Sequence, residues 1–547
     1  MKKIISLLLA VVMIFALSAC VVEKTNSTPS GGTEKVGTSP GDKNTVNDNV
    51  KDEAYTGQLP LTKEPVKLTF AVGFQGDTYA TPSTELPVYQ EYEKLTNVKV
   101  DWQVIKENFN VVIESRIAAG TDIPDMFSCP LAKAKEYYDS GAIILLDDLL
   151  VDNAPYTQKF YKDNTSERIF RRSDDGHRYF ISGAGIQNAN AVTVLMNQKW
   201  LDRLNHKAPQ TFDELYDTLK LFKENDLNNN GQKDEIPMIG WYNRYSFDAA
   251  LGDQFGLELS NEGFQLDENG KVVCDFIDPK YKEYLIYMNK LYKEQLINQK
   301  TFSRAETYEY AKNNTMGSCV TYSTFSGVYS GMSPEAESSE DAIFVPMDPI
   351  KGPYGHQRFI ASVASPGSGT VISSSCKNKD IALRYVDFLF GHPEAIKLQN
   401  YGIEGATYDF VSGKIIPRKS PKDESFNSFV KTVGGGQPPF PHQQLLEAWK
   451  ISYDKWVMDI NDQQQKYFKM PEALRIYLTQ EETEQRDKYW TDISKYIESM
   501  KTDFIFGNQP LDKFDEYVQT LKSMGIEEVL KVYQSRQDRA VRYSKME

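Results

Sequence analysis

Asp226-Leu227-Asn228-Asn229-Asn230-Gly231-Gln232-Lys233-Asp234-Glu235-Ile236-Pro237 places oxygen-bearing side chains at alternate positions. Asp226, Asn228, Asn230 and Asp234 carry them, the carbonyl of Gln232 falls between, and Gly231 permits the sharp bend that such a loop needs. The first part of an EF-hand presents ligands this way, because a calcium ion takes six to eight oxygens at about 2.3–2.6 Å. The twelfth position is Pro237 rather than a bidentate carboxylate, so Glu235 is the nearest candidate for that role. A polar surface turn is the other reading, since Asn, Asp and Gly dominate turns. With its ligands all engaged and no neighbouring base, a calcium ion here is expected to be structural, clipping a helix end to the chain that follows.

That helix is legible just before the loop. Thr211 and Glu214 have capping-box spacing, and Phe212, Leu215, Leu219 and Phe222 mark one buried face. Val192–Met196 reads as the strand before it, with Asn197-Gln198-Lys199-Trp200-Leu201 opening a helix. After the loop, Trp241 and Tyr242 form either a core plug or a platform for a sugar ring. Asp278-Pro279 starts a helix through Tyr281, Leu285, Met288 and Tyr292. Thr315–Tyr322 and Ala342–Pro346 read as strands, and the small-residue segment Gly369–Ser375 leads to a helix over Asp380–Phe390. Tyr401-Gly402-Ile403-Glu404-Gly405 is a glycine-flanked loop, and the chain from about Pro441 is largely helical.

Toward the N-terminus, Val66–Val72 alternates as a strand. A helix over Val88–Leu95, a strand over Val98–Ile105, a helix over Phe109–Ala119 and the segment Met126-Phe127 follow. This βαβα order predicts a mostly parallel sheet flanked by helices. Ligands of such sheets bind beyond the carboxyl ends of the strands, which places Phe74–Asp77 and Asp125–Phe127 near any cleft. Gly141–Leu150 is a short strand or a helix entry, and Asp174–Phe180 a turn into a strand. The five histidines are isolated, so no nucleophile–base pair is drawn from them.

Lys2 and Lys3 precede the apolar run Ile4–Phe15, which ends in Leu17-Ser18-Ala19-Cys20. This has the shape of a secretory signal, and the final box looks like the bacterial lipoprotein signal, with Cys20 lipidated and residues 1–19 removed. Residues 20–64 are too polar to offset their ordering entropy and are expected to be a flexible tether. Cys129, Cys274, Cys319 and Cys376 are widely spaced, which favours buried thiols over a zinc site.

The 547 residues exceed what one core accommodates, so two lobes are expected. A formal net charge of -14 argues against nucleic acid as a partner. With 32 Tyr and 28 Phe the chain is rich in rings that can stack on sugars, although most are expected to be core.

Taken in order, the lipobox, the tether, Ile123-Pro124-Asp125, Asn197–Leu201, Thr211–Leu215, Asp226–Pro237, Tyr401–Gly405 and the tail near Leu511–Tyr533 resemble the family 1 extracellular solute-binding proteins. Within that family they are most similar to the large lipoprotein branch that includes alginate-oligosaccharide-binding proteins. The resemblance implies an α/β, two-lobe periplasmic-binding-protein-like fold (type II), each lobe a mostly parallel sheet flanked by helices. Residues 65–185 begin the first lobe, 186–368 form the second, 369–440 return to the first, and 441–547 form a helical region packing on both.

It implies a monomeric, non-enzymatic protein on the extracellular face of the membrane, held by a lipid on Cys20, that passes an oligosaccharide to ABC permease subunits. The family's calcium ligands map onto Asp226, Asn228, Asn230, Gln232, Asp234 and Glu235. Cleft candidates follow from strand ends and aromatics: Gln75, Asp77, Asp125 and Phe127 from the first lobe, Trp241, Tyr242, Tyr322 and Arg358 from the second, and Tyr401 from the return. Two other classes stay open. A glycoside hydrolase needs two carboxylates roughly 5–10 Å apart, and 76 acidic residues leave room for such a pair. A surface lipoprotein that senses peptides would favour backbone pairing over stacked rings.

Overall fold

Among the described residues, fourteen strands punctuate the chain. They are β1 (Val66–Gly73), β2 (Val98–Ile105), β3 (Met126–Pro130), β4 (Val192–Asn197), β5 (Ile239–Gly240), β6 (Phe264–Leu266) and β7 (Val272–Cys274), then β8 (Ser318–Tyr322), β9 (Phe344–Pro346), β10 (Phe359–Ile360), β11 (Ser368–Ile372), β12 (Tyr408–Val411), β13 (Lys414–Pro417) and β14 (Phe468–Lys469). The structure is a computed structural model that describes residues 55–73, 81–185, 190–240, 245–299, 307–331, 341–361, 367–422, 424–471 and 476–546.

The first four-stranded sheet has the order β11-β3-β1-β2. β1 runs parallel to both β2 and β3, in a register that sets Phe70 beside Trp102, with ring centroids 4.9 Å apart. β11 adds antiparallel to β3, which is how the chain returns to this sheet after leaving it. Both faces are covered, as a parallel sheet requires. Leu68, Phe70 and Val72 enter one apolar cluster, while Ala71, Phe127 and Val371 enter the other. The helices Pro87–Thr96 and Phe109–Ala119 close with Asn97 and Gly120 in the left-handed region (φ 59° and 65°), residue types that tolerate it.

The second sheet, β5-β8-β4-β9, departs from expectation. β4 pairs antiparallel with both β8 and β9, and only β5–β8 is parallel, so this sheet is not mostly parallel. Strand direction is set by the crossovers, which local alternation does not encode. Alternation does predict the faces: Val194, Met196 and Val320 point into the largest core, and Leu195, Cys319 and Ile239 into the opposite one.

Smaller departures have local causes. Thr211 caps the helix Phe212–Glu224 through the Glu214 N–H, but the Glu214 carboxylate reaches back to the Gln210 N–H (2.7 Å) and not to the cap itself. Arg178–Phe180 forms no ladder, and Ile181 makes a single bridge to Thr370. Gly141–Leu150 resolves as the entry to the helix Asp147–Asn153.

The C-terminal helices Gln480–Phe506, Phe514–Ser523 and Ile526–Ser544 contribute Ile493, Ile497, Phe504, Tyr517 and Val529 to the core of the second sheet. The end of the last helix reaches back to the first part of the chain, where Ala540 and Tyr543 pack on Ile169 and the Tyr543 hydroxyl donates to Asp174 O (2.6 Å). Cys129, Cys274, Cys319 and Cys376 are buried free thiols.

Asp275, beside β7, is buried, accepts from the Glu258 N–H (2.6 Å), and is pushed by burial up to about 7. A carboxyl whose folded-state pKa is raised contributes stability that is fully present below about pH 4 and lost as pH rises through about 7. Asp275→Asn removes that slope. Thermal melts are therefore expected to show the wild type losing ground on the variant from about pH 4 to about pH 7 and holding level above that. A difference that stays constant with pH would refute the assignment.

Candidate functional site

The loop Asp226–Glu235 is built around its own backbone N–H groups. Asp226 accepts from Asn230 N (3.2 Å) and Gly231 N (2.9 Å), Asn228 Oδ1 from Asn230 N (3.0 Å), and Asn230 Oδ1 from Gln232 N (2.7 Å). Asn229 and Gly231 adopt positive φ, 58° and 75°, which supplies the bend. The amides of Asn228 and Asn230 hold the two oxygens of Asp234 at 2.9 and 3.0 Å. Glu235 turns inward: Oε1 accepts from Leu227 N (2.8 Å), while Oε2 is buried with no hydrogen-bond partner among the described residues.

Among the described residues no group of three or more His, Cys, Asp or Glu closes into a metal cage, and no cation pairs with Asp226, Asp234 or Glu235. Three uncompensated carboxylates and an orphaned carboxylate oxygen within ten residues fit a hard divalent cation.

Two cavities lie elsewhere. The first, about 730 Å³, sits where the first sheet ends: Gly73 closes β1, Ile105 closes β2, and Ser128–Pro130 close β3. This is the carboxyl end of the parallel strands, where ligands of open α/β sheets bind. Its far wall is Pro438-Pro439-Phe440-Pro441-His442.

The second, about 750 Å³, lies between Thr324–Val328, just beyond β8, and the returning chain from Gln399 to Asp454. Trp449 and Tyr453 line it with ring centroids 4.4 Å apart at 48°. Gln437 and Gln444 offer half-buried amides with no hydrogen-bond partner among the described residues. Asp454 leads the helix Lys455–Gln464 without capping it, and its carboxylate presses on Gly327, where a Cβ would lie 2.2 Å from Oδ2. Partial burial raises the Asp454 pKa. Arg418 brings no free charge, because its guanidinium is held by Asp409 (2.9 and 2.6 Å) and by Gly405 O.

Several expected cleft residues sit elsewhere. The Asp125 carboxylate is committed to Thr69, accepting from its N–H (2.8 Å) and hydroxyl (2.9 Å), and so clasps β1 to the start of β3. Phe127 is fully buried, and the strand runs three residues further, so Ser128–Pro130 reach the cavity in its place. Tyr401 packs on Tyr408 behind the second cavity. Arg358 is anchored on Gln254 and Leu257, off both cavity walls. Tyr322 is exposed at the end of β8, two residues before Thr324 of the second cavity. Gln75, Asp77, Trp241, Tyr242 and Cys20 lie outside the described residues.

Sequence reasoning missed Trp449, Tyr453 and His442. The available signals were the proline run Pro438–Pro441, which forces an irregular wall, and two aromatics four residues apart just beyond it.

The description of bacterial extracellular solute-binding proteins matches residues 77–396, more than half of the chain. The fructooligosaccharide ABC transporter substrate-binding protein FusA of Streptococcus pneumoniae is 24% identical over 537 residues, covering 91% of this chain and 94% of FusA. The lipoprotein LipO of Bacillus subtilis is 27% identical over 485 residues, covering 83% of this chain and 90% of LipO. The crystal structure of the alginate-binding protein AlgQ2 without calcium ion superposes with a TM-score of 0.64 at 24% identity, covering 87% of this chain and 99% of AlgQ2. That of a FusA EF-hand mutant in complex with fructo-nystose does so at 0.63 and 20%, covering 87% and 99%.

Proposed function

The chain belongs to the bacterial extracellular solute-binding proteins, and from that premise we propose that it captures a neutral oligosaccharide between two lobes and hands it to an ABC importer. Its relatives are substrate-binding proteins, not enzymes. The observation that carries the sugar reading is the second cavity. Trp449 and Tyr453 offer ring faces to the apolar faces of pyranose or furanose units, and Gln437, Gln444 and Asp454 meet their hydroxyls. Glu424 and Asp454 line this cavity together with Lys419, while Arg418 is already neutralised by Asp409, a balance without excess positive charge that suits uncharged sugars.

We take 65–185 with 369–440 as the first lobe and 186–368 as the second, with 441–547 packing on both. Cys20 at the lipobox would tether the protein to the outer face of the membrane. Asp226, Asn228, Asn230, Gln232 through its carbonyl, Asp234 and Glu235 would hold a calcium ion. Such an ion would supply charge compensation and an ionic clip at the end of the helix Phe212–Glu224.

Calorimetric titration against neutral oligosaccharides, uronate oligosaccharides and short peptides tests the reading. A neutral series is expected to bind, and Trp449→Ala to weaken it by roughly thirty-fold, as loss of a central aromatic anchor does. Arg418→Ala is expected to leave affinity within about two-fold, since its charge is already paired. Binding of peptides alone, or an unaltered Kd in Trp449→Ala, would overturn it.

A further inference from the structure

The two cavities share one residue. Pro438, Pro439, Phe440 and Pro441 face the first and Gly436, Gln437 and Gln444 the second, while His442 lines both. Each cavity, at about 730 and about 750 Å³, already has the size of a complete small-ligand site. A ligand of two sugar units has no use for both; an elongated one does. We propose that His442 is the joint of one continuous groove, and that the protein selects linear oligosaccharides long enough to occupy both cavities over disaccharides. This rests on the oligosaccharide reading above and specifies the length of the ligand.

The joint is rigid. His442 O accepts from Ala184 N (2.8 Å), and Ala184 O accepts from Gln444 N (3.2 Å), which pins the wall to the chain that leaves the first sheet. Gly183 packs so closely that a Cβ there would lie 3.2 Å from His442 O. The imidazole is oriented as well. Nδ1 lies 2.8 Å from Phe440 O, a group that only accepts, so Nδ1 carries the hydrogen and Nε2 keeps its lone pair. Burial holds the ring's pKa below its ordinary value, so it stays neutral at physiological pH. A neutral acceptor fixed between two cavities suits the hydroxyl of a sugar unit crossing from one to the other. Units in the second cavity rest on Trp449 and Tyr453, and those in the first meet Ser128, whose hydroxyl makes no hydrogen bond among the described residues.

The first cavity also admits a clean block. Gly367 lines it, has no positive φ, and among the described residues a Cβ there would meet nothing within 4 Å, so Gly367→Trp introduces a bulky side chain at this wall without a clash at its Cβ. The experiment titrates the full-length protein with β-fructan, α-glucan and β-xylan ladders of two to six units, beside His442→Ala and Gly367→Trp, with melting curves to confirm folding. In the series that binds, the hexasaccharide is expected to bind at least ten-fold more tightly than the disaccharide. Gly367→Trp should abolish that gain while leaving the disaccharide within two-fold, and His442→Ala should weaken the hexasaccharide more than the disaccharide. Equal affinity across lengths, or equal loss at every length in both variants, overturns the groove and leaves the oligosaccharide reading standing. Absence of binding by every ladder overturns both.

Discussion

Chelation of calcium is expected to lower the melting temperature of the wild-type protein by several degrees and to leave Glu235→Gln nearly unchanged. A ligand that binds only the native state adds RT ln(1 + [L]/Kd), about 4 kcal/mol at a thousand-fold excess over Kd. The loop supplies the reason for a tight site. Asp226, Asp234 and Glu235 crowd three carboxylates into ten residues with no lysine or arginine paired to any of them among the described residues, and Glu235 Oε2 is buried and unsatisfied. Without an ion those charges repel one another at the end of the helix Phe212–Glu224, the terminus where negative charge is least favourable. Glu235→Gln removes one charge and the inward carboxylate, so the stabilisation by added calcium should fall by most of its size. Melting curves in millimolar calcium and in chelator, on both proteins, decide it. Identical wild-type curves in the two conditions would reduce the loop to a hydrogen-bonded turn.

Lys501→Ala is expected to destabilise the protein by about 3–5 kcal/mol, the cost of breaking a buried ion pair by removing one partner. Lys501, on the helix Gln480–Phe506, pairs with Asp248, and their side chains are 2% and 8% exposed. Asp248 also accepts from the Tyr284 hydroxyl (2.9 Å), which does not replace a cation. Truncation of the lysine therefore leaves a carboxylate stranded in the core that joins the C-terminal helices to the second sheet. Urea titration should show a lower midpoint at unchanged slope. The double variant Lys501→Met/Asp248→Leu should recover most of the loss or exceed the wild type, because the pair's desolvation penalty goes with the pair. A cost under about 1 kcal/mol for Lys501→Ala would mean the pair is solvated in a way that its burial denies.

These two effects belong to different layers of the molecule. The first is local chemistry, written in ten consecutive residues. The second joins positions 253 residues apart and has no local signature. The same division runs through the candidate site. The expected secretory signal, lipobox, tether and calcium loop are each contiguous stretches, so spacing alone is enough to suggest them.

The amphipathic patterns of Val66–Gly73, Val98–Ile105, Phe109–Ala119 and Phe212–Glu224 likewise determined where strands and helices form, because burial of one face follows a fixed local period. Sequence alone could not set the direction of β8 and β9 against β4, since pairing direction depends on how the intervening chain crosses over. Nor could it tell that β3 runs on to Pro130, which retires Phe127 to the core and brings Ser128 to the cavity. Asp125 looked like a free cleft carboxylate until β1 placed Thr69 against it. Trp449, Tyr453 and His442 acquire their meaning only when the chain returns after β11 and lays them opposite Thr324 and Gly327. A binding cleft is a contact between distant segments, and such contacts are decided by tertiary packing, not by the period of any one segment.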